Sequence, residues 1–198
     1  MDQKNKEETQ IPSAEVLQVE IKRIRFLRRY LRLLRSTINA LIVTAAAAVL
    51  IATLVLPVLQ IYGSSMTPAL EEGDIVLSLK TGKLSQGDIV CFYYANRVLV
   101  KRVIALPFDT VSMDEDGNIY INDSTEPLEE PYVNEKTLGE CDIEFPVQVP
   151  EGSYFVVGDQ RETSIDSRSS TVGFVTQDEI VGRIFFTVWP LRNFGIVR

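Results

Sequence analysis

The sequence contains no histidine in 198 residues and only two cysteines, Cys91 and Cys141. Without an imidazole, a hydrolase of the Ser-His-Asp type is excluded, and any serine nucleophile must use another general base. So few nitrogen and sulfur ligands also leave no recognisable zinc site, and we predict neither a metal nor a cofactor. Whether the two cysteines form a disulfide stays open, because pairing depends on geometry.

Charge is divided unevenly along the chain. Residues 1–39 carry nine Lys and Arg against five Asp and Glu, whereas the remainder carries eleven against twenty-two. The acidic remainder argues against a nucleic-acid partner. A basic flank next to a membrane-spanning segment is typical of the cytoplasmic side of a membrane.

An apolar run from Ala40 to Leu59 contains no charged residue and is long enough to cross the hydrocarbon core of a bilayer. We predict a transmembrane helix at residues 40–60, with the N-terminus cytoplasmic and the rest of the chain extracytoplasmic in a cell membrane. A cleavable signal peptide is disfavoured, because the run is too long and no small-residue cleavage pattern follows it.

The segment before this run has two parts. Residues 1–13 are polar, and we predict a disordered tail. From Ala14 to Ser36, apolar residues recur at three and four positions with arginines mostly between them, which predicts a basic amphipathic helix. This helix either lies on an anionic lipid surface or leads into the spanning helix, and the second interpretation is favoured.

After residue 61 the pattern changes to short runs rich in Val, Ile, Phe and Tyr, separated by turn residues. Together they predict an antiparallel β-sheet domain over residues 61–198, with a small insertion at 123–150 and a hairpin turn at 114–118. The predicted strands are Ile75–Leu79, Ile89–Tyr94, Val98–Ala105, Thr110–Met113, Ile119–Asn122, Tyr154–Gly158 and Ile180–Thr187. The fold class is therefore mainly β, behind one N-terminal transmembrane helix.

Ser65 is the first candidate for chemistry, because it comes directly after the spanning run, where it would emerge at the membrane surface. The proline that follows Thr67 disfavours helical geometry, so we expect a stiff, non-helical loop. Taken alone the signal is weak, since most serines near glycine and proline are turn residues.

Lys101 interrupts an apolar run that is typical of a core strand. If it points inward with Leu99 and Val103, desolvation lowers its pKa, and a neutral lysine can serve as the general base for a serine. The alternatives are that Lys101 faces solvent with Arg102 inward, or that it pairs with an acid.

A polar stretch from Gly158 to Arg168 follows the predicted strand at Tyr154–Gly158. An Asp166–Arg168 pair could fix this loop through a charge-assisted hydrogen bond, and Ser164 could orient a lysine amine. The alternative is a solvated surface loop.

Taken together, these stretches resemble the type I signal peptidases, membrane-anchored serine proteases that remove signal peptides from exported proteins. The Ser65–Pro68 stretch resembles the nucleophile box of the family, Lys101–Asp109 its lysine box, and Gly158–Arg168 its C-terminal box. The resemblance covers about residues 40–190, in order.

The resemblance implies a role for each candidate. Ser65 would be the nucleophile, its N–H part of the oxyanion hole, and Lys101 the general base, while Ser164 would position the lysine amine. Asp166 and Arg168 would hold the loop that carries Ser164. The implied partners are signal-peptide-bearing precursors and membrane lipid.

Four positions depart from the family pattern. Gly63 lacks the hydroxyl that some members add to the oxyanion hole, so the hole must be completed in another way. Phe108 replaces a glycine of the lysine box, which puts the local turn geometry in question if it needs a positive φ. Ala69 and Gln160 replace Thr and Asn, and none of the four removes a proposed catalytic group.

Three rival interpretations remain. Self-cleaving repressors use a similar Ser–Lys β domain, but the predicted transmembrane segment and outward topology count against them. A peptidase dedicated to a few surface or pilus precursors cannot be separated from a housekeeping enzyme by sequence. In a non-enzymatic anchored β domain, Ser65 and Lys101 would be structural.

Overall fold

A computed structural model describes residues 14–80 and 82–197. The predicted disordered tail at 1–13 lies outside these residues. The chain divides into two compact units between Ile51 and Ala52. Because this boundary lies near the end of the only long helix in the described part of the chain, the first unit is helical and the second is the β domain.

Helix α1 runs without interruption from Ala14 to Val55. Its segment Ile21–Leu50 is long and apolar enough to cross a membrane, by length and composition. The predicted amphipathic segment is therefore continuous with the apolar run, in agreement with the interpretation that it leads into that run.

The C-terminal end of α1 differs from the predicted boundary at residue 60. The helix ends at Val55, and Val58–Gln60 forms strand β1, paired with Ile75–Leu77. Pro57 explains the difference, because a proline disfavours helical geometry in the residue before it and cannot donate a helical hydrogen bond. An apolar strand here looks the same as an apolar helix end in the sequence.

The β domain contains a large and a small sheet, both antiparallel. In the large sheet the strands lie in the order β1-β2-β10-β3-β4-β8-β9, with β11 paired to β10, and in the small sheet the order is β6-β5-β7. The strands are β1 Val58–Gln60, β2 Ile75–Leu79, β3 Ile89–Tyr94, β4 Arg97–Ala105, β5 Thr110–Met113, β6 Ile119–Ile121, β7 Val147–Gln148, β8 Ser153–Val157, β9 Val175–Thr176, β10 Ile180–Trp189 and β11 Gly195–Ile196. The mainly β, antiparallel fold is thus confirmed.

All seven predicted strands are present, with ends that differ by two residues at most. The predicted hairpin joins β5 to β6, where Met113 pairs with Ile119. The strands that the periodicity missed, β1, β7, β9 and β11, are two or three residues long, which is too short for an alternating pattern to be recognised.

Strand β8 is buried along its whole length because it has apolar clusters on both faces. Tyr154 and Val156 pack in one cluster with Val103, while Phe155 and Val157 pack in another with Ile104. The C-terminal half of β4, which pairs with β8, is covered on both faces as well. This double coverage creates the dry environment in which two charged residues of β4 lie.

The predicted insertion at 123–150 packs against the core of the β domain. Its last part forms β7, Val149 is buried, and Leu128, Ile143 and Phe145 pack against the cluster between the sheets. The region therefore contributes to the core and does not merely extend from it.

Both cysteines are free thiols. Cys91 is buried in β3, where its Sγ lies 3.2 Å from the carbonyl oxygen of Gly182, and burial raises the pKa of its thiol. The question of pairing that the sequence left open is answered by this structure, which contains no disulfide between Cys91 and Cys141.

Candidate active site

Ser65 and Lys101, which are 36 positions apart in the chain, meet in the β domain. The lysine amine Nζ lies 2.8 Å from the serine hydroxyl Oγ. Lys101 is only 3% exposed and its neighbour Arg102 only 1%. The alternative in which Lys101 faces solvent and Arg102 points inward is therefore wrong, because β4 is covered on both faces at this point.

Burial lowers the pKa of Lys101 from 10.5 to about 8, because desolvation destabilises the ammonium form. Smaller effects come from Asp166, which raises this pKa, from Arg168, which lowers it, and from Asp159, which raises it. About half of this amine is consequently neutral near pH 8, where an ordinary lysine is almost entirely charged, and a neutral amine can accept a proton.

Ser65 lies in a tight turn that belongs to no helix, in agreement with the expectation of a non-helical loop. The N–H of Leu70 donates to the carbonyl of Met66 at 2.9 Å, which closes one turn of helical spacing. Met66 and Leu70 are both buried and anchor this turn in the core. The nucleophile candidate thus lies next to a fixed core residue.

Gly158 closely approaches this turn. A methyl group on its Cα would lie 2.1 Å from Ser164 Oγ and 2.7 Å from the carbonyl oxygen of Ser65. The same Ser65 carbonyl accepts a hydrogen bond from the Gln160 N–H at 3.0 Å. Only glycine fits here, because two backbones and a serine side chain converge on its Cα.

Ser164 is fully buried beside Gly158. Its hydroxyl has no hydrogen-bond partner among the described residues, so the predicted bond to the lysine amine is not formed in this structure. Ser164 nevertheless lies against Gly158, the glycine that also approaches the Ser65 carbonyl.

Asp166 and Arg168 form the predicted pair and fix the loop. Arg168 donates to both carboxylate oxygens of Asp166, at 2.8 and 2.9 Å, and the second oxygen also accepts the Gly158 N–H at 2.9 Å. The guanidinium of Arg168 further donates to the carbonyl oxygens of Leu138 and Arg161, each at 2.9 Å. A solvated surface loop is excluded, since both side chains are wholly buried.

Two buried ion pairs were not predicted from the sequence. Arg102 donates two hydrogen bonds to Asp159, at 2.9 and 2.7 Å, and its guanidinium lies 3.9 Å from the centre of the Tyr132 ring. Arg161 pairs with Glu130. An arginine next to a lysine in an apolar strand was the available signal for the first pair, whereas the second depends on the tertiary position of the insertion.

A groove of about 590 Å³ leads to Ser65. It is lined by residues 58–63 on one side and 97–100 on the other, together with Ser65 and Met66. Strand β8 pairs with β4 only from Arg102 to Ala105, so one edge of β4 at residues 97–101 has no strand partner in the described part of the chain. The groove is therefore bordered by backbone that can pair with an added strand.

Comparison with known proteins identifies the family of the chain. The family model described as signal peptidase, peptidase S26, matches residues 34–189. The chain belongs to this family. Signal peptidase I U of Bacillus subtilis (strain 168) is 38% identical over 150 residues, which cover 70% of this chain and 76% of the relative. Signal peptidase IB of Staphylococcus aureus (strain Mu50 / ATCC 700699) is 36% identical over 155 residues, which cover 68% of this chain and 78% of that relative.

A crystal structure of a signal peptidase I from Enterococcus faecalis V583 is also similar, with 33% sequence identity and a TM-score of 0.41, and the match covers 51% of this chain and 96% of that one. Membership of the signal peptidase I family confirms that the chain is a serine endopeptidase that cleaves signal peptides from precursor proteins.

Proposed function

We propose that this signal peptidase works through a Ser65–Lys101 dyad. The observation that carries the proposal is the 2.8 Å contact between the serine hydroxyl and a buried lysine amine. Burial keeps the amine neutral at a pH where an exposed lysine would be charged. With no histidine in the sequence, Lys101 is the base within reach of the hydroxyl.

The reaction proceeds as acyl transfer in two stages. Neutral Lys101 takes the hydroxyl proton as Ser65 Oγ attacks the scissile carbonyl, and the resulting ammonium gives that proton to the departing amine. An acyl ester on Ser65 remains. Lys101 then takes a proton from a water molecule that attacks the ester, and returns it to Ser65 as the signal peptide leaves.

The tetrahedral intermediate needs hydrogen-bond donors for its oxyanion. The Ser65 N–H is one candidate, since it makes no hydrogen bond within the described residues. Gly63 has no side-chain donor to add, so the backbone has a larger share in this enzyme than in relatives with a hydroxyl at that position.

Ser164, Asp166 and Arg168 support the dyad without taking part in bond changes. Asp166 holds the Gly158 N–H and Arg168 holds the Ser164 carbonyl, at 2.9 and 3.3 Å. Together they keep Ser164 against Gly158, whose Cα also approaches the Ser65 carbonyl, and in this proposal the free Ser164 hydroxyl orients the Lys101 amine.

The substrate binds in extended form along the open edge of β4. Its backbone pairs with residues 97–101, and the small side chains that the family prefers before the cleaved bond fit the groove next to Ser65. Helix α1 anchors the enzyme in the cell membrane with a cytoplasmic N-terminus, because the arginines lie before the apolar run and the acidic domain after it.

A repressor-like role is disfavoured by the apolar segment of α1 and by the family match, which covers the helix end as well as the β domain. A non-enzymatic binding module is incompatible with family membership. Housekeeping and dedicated peptidases remain two forms of the same proposal, and they differ in the number of precursors that one preparation cleaves.

Cleavage of a secretory precursor in detergent micelles tests the dyad. Ser65→Ala and Lys101→Ala should each lower kcat by at least about 10³-fold, because the two groups act as a unit. Ser64→Ala and Lys80→Ala are matched controls, since both residues are exposed, and they should cleave like the wild type. If folded Ser65→Ala or Lys101→Ala cleaves at the wild-type rate, the proposal is wrong.

A further inference from the structure

One buried carboxylate has no part in the proposed chemistry. The side chain of Glu130 is completely buried, in the region that the sequence predicted as an insertion. It pairs with Arg161, accepts a hydrogen bond from the Tyr132 hydroxyl at 3.3 Å and lies 3.9 Å from the Lys136 amine. A carboxylate buried to this extent depends on its partners, and they depend on it.

Arg161 links Glu130 to the loop of the C-terminal box. While its guanidinium pairs with Glu130, its Nε donates to the Gly158 carbonyl at 3.2 Å. Its own carbonyl accepts a hydrogen bond from Arg168 at 2.9 Å. Arg161 is therefore fixed by its side chain and by its backbone, and it holds the carbonyl of Gly158 while Asp166 holds the N–H of the same residue.

The other side of Gly158 touches the reacting residues. A methyl group on its Cα would overlap Ser164 Oγ and the Ser65 carbonyl oxygen, and two residues later the Gln160 N–H donates to that same carbonyl. The segment Gly158–Arg161 thus has Glu130 on one side and the backbone of the nucleophile on the other.

We propose that Glu130 is a positioning residue for catalysis, which holds Arg161 so that the segment Gly158–Arg161 keeps its contacts with Ser164 and with the backbone of Ser65, whose hydroxyl is bonded to the Lys101 amine. The inference rests on the proposed dyad. It assigns the region 123–150 a role in the reaction, although none of its residues touches the substrate in the proposed mechanism.

Two consequences distinguish positioning from a purely structural role. If Glu130 is neutralised, the segment loosens, the geometry of attack worsens and kcat falls. Water also gains access to the amine, and because burial is what lowers the pKa of Lys101, this pKa should rise towards its ordinary value.

The charged groups that act on the Lys101 amine, Asp159, Asp166 and Arg168, are unchanged in a Glu130→Gln variant. A rise in the Lys101 pKa therefore reports hydration of the amine, since loss of a nearby negative charge would instead lower that pKa. In a plot of kcat/KM against pH, the acid limb, which is the rise on the acid side and reports deprotonation of Lys101, should therefore move to higher pH.

The experiment measures kcat, KM and the pH dependence of kcat/KM for precursor cleavage by the full chain in detergent micelles. For Glu130→Gln we expect kcat to fall about 10- to 100-fold, as for a small misplacement of reacting groups, with KM little changed. Val111→Ala is the control, because it removes buried volume from β5, which pairs with β7 of the region 123–150, and leaves the segment Gly158–Arg161 unchanged. Per folded molecule, its kcat and acid limb should equal those of the wild type.

Wild-type kcat and an unmoved acid limb in folded Glu130→Gln would overturn the inference, as would the same changes in Val111→Ala. If Glu130→Gln does not fold, Glu130→Asp keeps the charge and shortens the reach, and the same pair of readouts decides. Ser65→Ala is assayed beside them: an active Ser65→Ala would refute the dyad itself, whereas an inactive Ser65→Ala with an unaffected Glu130→Gln would refute only the role of Glu130.

Discussion

Gly158→Ala is the substitution whose effect the structure determines most closely. The added methyl carbon would lie 2.1 Å from Ser164 Oγ, 2.6 Å from Ser164 Cβ and 2.7 Å from the Ser65 carbonyl oxygen. Ordinary contacts of such atoms begin at about 3.4 Å, so the Ser164 side chain must retreat by roughly 1 Å and the Ser65 backbone by somewhat less. Neither can move freely, because the Ser164 side chain is fully buried and Ser65 is followed directly by the buried Met66.

Two quantities should change. Overpacking of a rigid interior costs about 1–3 kcal/mol of unfolding free energy, which lowers the midpoint of a urea titration. If Ser65 is the nucleophile, as proposed, its displacement by a fraction of an ångström to 1 Å should lower kcat by about 100-fold. Both are measured on the same purified protein, by chemical denaturation and by precursor cleavage.

Gly82→Ala is the matched control. Nothing lies within 4 Å of the methyl group it would add, and the backbone there does not have a positive φ. Its stability and activity should equal those of the wild type. If Gly158→Ala were as active and as stable as Gly82→Ala, the close packing of Gly158 against Ser65 and Ser164 would be refuted.

Three further predictions concern stability and activity together. Phe108 has a φ of 73°, which strains the backbone of a residue with a side chain, and its side chain is 63% exposed. Phe108→Gly should relieve this strain, raise the unfolding free energy by up to about 1 kcal/mol and leave cleavage unchanged. A loss of stability would show that the backbone is not strained. Lys101→Met should abolish cleavage yet stabilise the fold at pH 7 by on the order of 1–3 kcal/mol. The reason is that the amine binds a proton more weakly in the folded chain, where its pKa is about 8, than in the unfolded chain, so this group destabilises the fold at pH 7. An unchanged midpoint of thermal unfolding would contradict this. Asp166→Asn leaves Arg168 without its ion pair in the interior and should cost about 3–5 kcal/mol in urea titration, whereas an unfolding free energy equal to that of Gly82→Ala would refute the pairing.

The sequence was sufficient for the regular parts of the fold. Strands such as Ile89–Tyr94 and Ile180–Thr187 combine apolar and β-branched residues with clear turn signals at their ends, so their local preference agrees with their tertiary position. The end of α1 could not be predicted in the same way. Residues 58–60 continue the apolar run, and only their pairing with β2 shows that they form a strand.

Prediction of the site was limited by the assumption that a strand has one buried face and by the lack of information on how distant segments pack. Alternation along β4 implied that either Lys101 or Arg102 faces inward, but clusters on both faces of the sheet bury both residues. Proximity of Ser65 to Lys101 and of Gly158 to Ser164 depends on how distant segments pack, which a local pattern does not encode. Glu130 had no signal at all, because a single acid in a polar region looks like a solvated one.

The most direct test of the dyad is the pH dependence of kcat/KM for precursor cleavage by the wild type. This quantity reports ionisations of the free enzyme, and protonated Lys101 cannot accept the Ser65 proton, so activity must be low in acid and rise as Lys101 loses its proton. The structure predicts a half-maximum near pH 8, because burial lowers the pKa of Lys101 to about 8. A rate that is flat across this range, or that falls as pH rises through 8, would contradict Lys101 as the general base.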